Sequence, residues 1–182
     1  PLCQSDRLLK QLLDRVPQLV DDLEGKGVQY TNVMPARADL DSGQGRSWQN
    51  TLGSKSKASA ERRLRELDYT WEWLQGENLK VTTPVLTATR LLADGRKVFF
   101  NQLIAAYRGW KDSRNKDSKK IQFGDGSDIS EESMEVVCEI AENITYDHFW
   151  QKGDLLLVDN FLVMHGRRPF VGTRKVLASL SI

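Results

Sequence analysis

Apolar residues change their spacing along this chain, and that change narrows the fold more than any other feature. From residue 5 to residue 23 they recur at helical intervals, at Leu8, Leu9, Leu12, Leu13, Val16, Leu19, Val20 and Leu23. Such a pattern describes a helix that buries one stripe. Ser5 and Asp6 offer an N-terminal cap, and Pro17 divides the run into two helices because it lacks an N–H and crowds the preceding turn. Gly25 and Gly27 end it. Beyond this point most apolar residues fall in short extended runs: 28–33, 71–74, 79–83, 89–93, 97–101, 144–148, 154–159, 162–165 and 175–182. Asp94-Gly95 between two of these runs is a strong hairpin signal. Residues 58–67 read as a short charged helix, 103–107 as a helical turn, and 129–143 as a helix with Glu131 and Glu132 in its first turn. Residues 35–57 are rich in Gly, Ser, Asp and Asn, a long loop of the kind that often serves as a lid, and 108–120 form a charged surface loop. Short strands at close spacing, with the helices segregated earlier, predict a β-rich α+β domain, best a sandwich or jelly roll.

Length and charge set the outer bounds. With 182 residues, 40% of them hydrophobic, the chain suits one domain with a real core. Lys plus Arg is 26 against 25 Asp plus Glu, a formal net charge of +1, which gives no reason to expect nucleic acid or a membrane surface as partner. The basic residues of 111–120 and the Arg62-Arg63 pair are interrupted by Asp112, Asp117, Glu61 and Glu66, as on a solvated face. Cys3 and Cys138 lie far apart in no metal-type spacing, and Cys138 reads as a small core residue. This usage fits a reducing compartment, and the expected location is cytoplasmic. No apolar run approaches the roughly 18 residues of a membrane span.

The chemistry concentrates near the C-terminus. Residues 155–158 read as a buried strand ended by a turn at Asp159-Asn160. Val163 and His165 share parity, so His165 is expected on Val163's face, toward the interior. An inward imidazole must be hydrogen-bonded or ligated. Arg174 opens the last expected strand, where a guanidinium would seek a carboxylate. Spacing alone leaves two readings open: an iron-chelating diacid held between a metal-ligating His165 and Arg174, or an ordinary core or surface histidine beside a surface arginine. Trp48, in the long loop, is a candidate lid residue over a substrate. Trp71 and Trp73 share a strand face and read as core packing.

The blocks Gly153-Asp154-Leu-Leu-Leu-Val-Asp159-Asn160, His165-Gly-Arg167-Arg168-Pro169-Phe170 and Arg174-Lys-Val-Leu together resemble the C-terminal signature of the TauD/TfdA family of oxygenases, above all its clavaminate synthase-like members. Gly95-Arg-Lys-Val-Phe-Phe-Asn101 resembles that family's strand ending in an active-site asparagine. Gly45-Arg46-Ser47-Trp48, Tyr107-Arg-Gly-Trp110 and Phe123-Gly-Asp-Gly126 look similar as well, so the resemblance runs over nearly the whole chain. It implies a double-stranded β-helix (jelly roll) with flanking helices. It also implies a non-haem Fe(II)- and 2-oxoglutarate-dependent dioxygenase that uses O2 to hydroxylate or desaturate a small-molecule substrate. Carried over by position, His165 becomes the distal histidine of a two-histidine, one-carboxylate iron site. Arg174 becomes the partner of the far carboxylate of 2-oxoglutarate, and Asn101 a substrate-lining residue. Arg167 and Arg168 are expected to be structural or surface residues. Ala178 stands where a sulfonate-binding arginine would be, which argues against a sulfonate substrate.

One departure stands out. The family's other two ligands form a His-x-Asp or His-x-Glu pair upstream of a Gly-Gly-x-Thr-Pro segment, whereas the two histidines here are His148 and His165. His148 is followed two residues later by Trp150 and lies on the wrong side in order, so it reads as a strand or surface histidine. Pro1-Leu2 resembles the segment just after the family's threonine. The expectation is therefore that residues 1–182 form the C-terminal portion of a single oxygenase domain, incomplete at its N-terminus and inactive alone. The alternative is a metal-free jelly-roll binding or regulatory module holding a small carboxylate.

Overall fold

A computed structural model describes residues 1–39, 45–109, 114, 120–169, 171–172 and 177–179. Strand β1 (Leu2–Gln4) runs directly into helix α1 (Ser5–Arg15), and Val16 separates it from α2 (Pro17–Lys26). The break falls at Pro17 as expected, with proline in the first turn of α2, where its missing N–H has no helical partner to lose. Ser5, however, is no cap. Gln4 occupies the cap position, and the buried Ser5 donates its hydroxyl to the Phe161 carbonyl at 2.7 Å. Its N–H reaches the Leu162 carbonyl at 2.8 Å. A residue suited to ending a helix instead ties the helix start to a turn more than 150 positions away.

β2 (Val28–Met34) is the centre of a four-stranded antiparallel sheet in the order β3-β4-β2-β7, with β3 at Thr70–Trp73, β4 at Leu79–Thr82 and β7 at Ile121–Phe123. Its two halves serve different neighbours: Thr31–Met34 pair with β4, and Val28–Tyr30 with β7. β7 was not foreseen, because three residues carry too little alternation to register. Its place is secured by a close approach. Gly124 N–H donates to the Gly27 carbonyl at 3.1 Å, and a Cβ at Gly124 would run into the Lys26 carbonyl. Gly27 has φ +69°, and a Cβ there would lie 2.5 Å from Val85 Cγ1, so neither position tolerates a side chain.

Within residues 35–57, expected as loop throughout, α3 (Trp48–Leu52) forms, capped by the Ser47 hydroxyl at 3.3 Å from Asn50 N. α4 (Lys57–Glu66) follows, with Ser56 and Ser59 capping each other. The Asp94-Gly95 turn joins β5 (Thr89–Leu91) to β6 (Lys97–Phe99) in the expected hairpin. A π-helical turn covers Ala105–Gly109, and α5 spans Glu131–Ile144. β8 (Val163–His165) pairs antiparallel with β1.

The main core gathers Leu8, Leu9 and Leu12 of α1, Leu19, Val20 and Leu23 of α2, Phe99 of β6, and Met134, Val137 and Ile140 of α5. Each such side chain contributes roughly 1.5–3 kcal/mol by leaving water. A smaller core lies under the far end of the sheet, where Met34, Trp48, Ala60, Leu64, Leu79 and Val81 meet. Cys3 and Cys138 are both free and buried, and burial pushes both thiols up; for Cys138 this is the core position expected.

The architecture is thus α+β with antiparallel sheets. Among the described residues the strands form three separate sheets and do not close into a barrel. Two expected strands are corrected. Residues 144–148 hold a single bridge, Leu2 to Tyr146, because α5 continues to Ile144. Residues 154–159 pair with nothing among the described residues, and Leu155 and Leu157 stand 96% and 93% exposed. Apolar residues there do make a strand-like sequence, but a strand needs a neighbouring edge. The last expected strand, 175–182, lies outside the described residues except 177–179, which belong to no element.

Candidate functional site

The turn that precedes β8 organises the site. Asp159 accepts the N–H groups of Phe161 and Leu162 through Oδ1 at 2.9 and 3.4 Å, and its carbonyl accepts Val163 N–H at 3.0 Å. With Ser5 fastened to the Phe161 carbonyl, the turn is held at both sides. It delivers Asn160 and Phe161 in one direction and His165 in the other.

His165 does share a face with Val163, but that face is not the interior. In the β1–β8 ladder Cys3 lies opposite Met164, and these two turn to the core; Leu2 and His165 form the next pair, on the other face. The His165 ring is exposed, with Nδ1 3.3 Å from the Val163 carbonyl and no hydrogen bond to Nε2 among the described residues. The expectation of an inward imidazole is corrected: Met164 has the larger apolar surface and takes the buried side. Arg174 lies outside the described residues. His148 is a surface residue, 2.9 Å from Asp154 Oδ2 and edge-on to Trp150. Backbone donation from Gln151, helped by His148, holds the Asp154 carboxyl below its usual range. Arg168 is structural, as expected: it forks onto Glu142 and Asp147.

A separate cavity of about 660 Å³ opens between the sheet and the base of the hairpin. β2 and β4 contribute Tyr30, Asn32 and Val81, with Thr83 just after β4; β5 contributes Arg90, and Phe100, Asn101 and Gln102 follow β6; α3 contributes Thr51 and Leu52; the turn contributes Asn160. Asn101 is therefore at the cavity wall, but both ends of its amide are engaged. Nδ2 donates to the Ala88 carbonyl at 2.8 Å, and Oδ1 accepts Leu103 N–H at 2.9 Å. Beside it the Tyr30 hydroxyl accepts Gln102 N–H at 3.0 Å, and burial pushes its pKa up to about 12, so it stays neutral.

Trp48 is not a lid. It is 4% exposed, its indole N–H donates to the Glu77 carbonyl at 3.2 Å, and its ring meets Trp73 edge-on at 5.2 Å. An apolar indole at the start of α3 finds more buried area in the second core than over an open cavity, and the helix reaches the cavity through Thr51 and Leu52 instead. Sequence reading missed Tyr30, Arg90, Phe100, Asn160 and Phe161. The turn residues around Asn160 were visible, but nothing local marks which strand residues would face them.

Among the described residues no three His, Cys, Asp or Glu side chains stand close enough together to hold a metal ion. His165 supplies one nitrogen, and one ligand does not fix iron. The described residues alone do not fit an iron centre. Nor, among them, is any helix long and apolar enough to cross a membrane.

Residues 1–180 match the family described as taurine catabolism dioxygenase TauD, TfdA family. The chain belongs to that family. It is 36% identical over 181 residues to a clavaminate synthase-like protein of Arabidopsis thaliana, covering 99% of this chain and 55% of that protein. It is 28% identical over 192 residues to the dapdiamide synthesis protein DdaC of Enterobacter agglomerans, again with 99% of this chain and 55% of the relative covered. The chain thus spans about half the length of these curated relatives.

Proposed function

We propose that the whole protein is a non-haem Fe(II)- and 2-oxoglutarate-dependent dioxygenase that hydroxylates or desaturates a small-molecule substrate with O2, and that residues 1–182 form the C-terminal portion of its single jelly-roll domain. The observation that carries this reading is the family match over residues 1–180. In this reading His165 is one of three iron ligands, its partners come from outside these residues, and its exposed face is where they meet it. The open edges of the sheets and the bare 154–159 segment are the places where the jelly roll would be completed. Iron and 2-oxoglutarate supply the oxidising power; the chain's part is to position and to exclude water. Arg174 pairs with the far carboxylate of 2-oxoglutarate, and Asn101 lines the substrate side while holding the hairpin end in place. The two curated relatives bear names tied to clavaminate synthase and to dapdiamide synthesis, which agrees with a small-molecule substrate; a cytoplasmic location is part of the same proposal.

The test is direct. Full-length protein loaded with Fe(II) should convert 2-oxoglutarate to succinate. His165→Ala should lower that turnover by at least about 100-fold, since loss of a ligand costs metal affinity as well as geometry. Full succinate production by the His165→Ala protein would remove the assignment.

A further inference from the structure

The hairpin β5–β6 with its turn carries three cations. Lys97 pairs with Glu24 at 2.6 Å, and Arg96 with Asp94 at 2.6 Å. Arg90 pairs with no carboxylate among the described residues; its guanidinium instead lies 4.2 Å over the ring of Phe161, which packs at 5.0 Å on Phe100. Stacking of this kind sets the plane of the guanidinium while leaving its N–H edge available for a planar acceptor. Arg90 lines the cavity, and it is the one charged side chain among the described lining residues; the others are amides, hydroxyls and apolar groups. Two of those amides, on Gln102 and Asn160, make no side-chain hydrogen bond among the described residues.

We propose that Arg90 is the specificity residue of this cavity and receives the carboxylate of the substrate, which is therefore a small polar organic acid. This rests on the reading of the cavity as the substrate side of the proposed oxygenase. A single cation with no acid beside it matches a monoanion. A phosphate dianion would leave charge uncompensated in a half-enclosed site. Phe161 holds the guanidinium, Ser5 and Asp159 hold Phe161, and the same turn leads to β8, so the ring that orients Arg90 and the imidazole of His165 hang from one fastened segment. Gln102 and Asn160 face the polar remainder of the molecule.

Isothermal titration of the full-length protein with the twenty proteinogenic amino acids and their N-acetyl derivatives, each beside its primary amide and with saturating 2-oxoglutarate, tests this. At least one acid should bind about ten- to a hundred-fold more tightly than its own amide, the range of a charge-assisted pair. Arg90→Met should bring the acid down to the amide's affinity, and Arg90→Lys should recover part of the difference. Phe161→Leu, which frees the guanidinium from its ring, should weaken the acid but not the amide, and serves where Arg90→Met fails to fold. Arg96→Gln should change neither. Amides binding as tightly as acids, selectivity surviving in Arg90→Met, weakening confined to 2-oxoglutarate, or no binding by any member at millimolar concentration would each overturn the proposal. A protein that binds acids through Arg90 yet never turns over 2-oxoglutarate keeps it and removes the oxygenase reading.

Discussion

Asn101 has a structural duty and, in the proposed function, a second one that pulls in a different direction. Its position at the cavity wall agrees with a substrate-lining residue, but its amide spends both polar ends on backbone, bridging Ala88 and Leu103. Removing it leaves a carbonyl and an N–H without partners at the foot of the hairpin. Asn101→Ala should therefore destabilise the fold by about 1–3 kcal/mol, read as a lower urea midpoint with an unchanged slope. Substrate affinity measured on the surviving folded protein then separates the two duties. At this scale the sequence was informative about identity and silent about direction. His165 was marked out by its neighbours in sequence, and Val163 was correctly placed on the same face; which face met the core depended on Met164 packing against helices far away in the chain.

The elements tell a similar story at longer range. The leucine-rich helices, the Pro17 break and the Asp94-Gly95 hairpin were all legible, because each rests on contacts within a few residues. β7 and α3 were not. β7 exists because Val28–Tyr30 offers it an edge and because Gly27 and Gly124 let two backbones touch. Gly27→Ala should break that junction: the left-handed backbone alone costs about 1–3 kcal/mol, and the new Cβ would meet Val85 and Leu86. A fall in thermal midpoint with faster amide exchange across 121–123 is expected; an unchanged melt would show that the junction relaxes at no cost. The strand expected at 154–159 shows the reverse case, a good strand sequence with no described edge to join.

For the molecule as a whole, the segment after β8 is fastened by charge. Arg168 lies within 2.7 Å of Glu142 and 2.8 Å of Asp147, and its hydrogen bonds hold both carboxyls below their usual range. Carboxyls so depressed add stability that is present above the ordinary carboxylate range and is lost as pH falls through it. The fastening should therefore loosen below about pH 4, and also in high salt, since all three side chains are about half exposed. Amide exchange across 166–169 should rise on acidification in the native protein, whereas Arg168→Gln should exchange fast at every pH. The sequence by itself determined the helical and hairpin segments, the mixed α+β character and the family, because these depend on residue type, local spacing and motif order. Only the tertiary structure decided that His165 stands on an open face, that Trp48 belongs to a core, and that Tyr30, Arg90 and Phe100 come together at one cavity. Those outcomes follow from competition among distant side chains for buried area and hydrogen bonds, which no local pattern encodes.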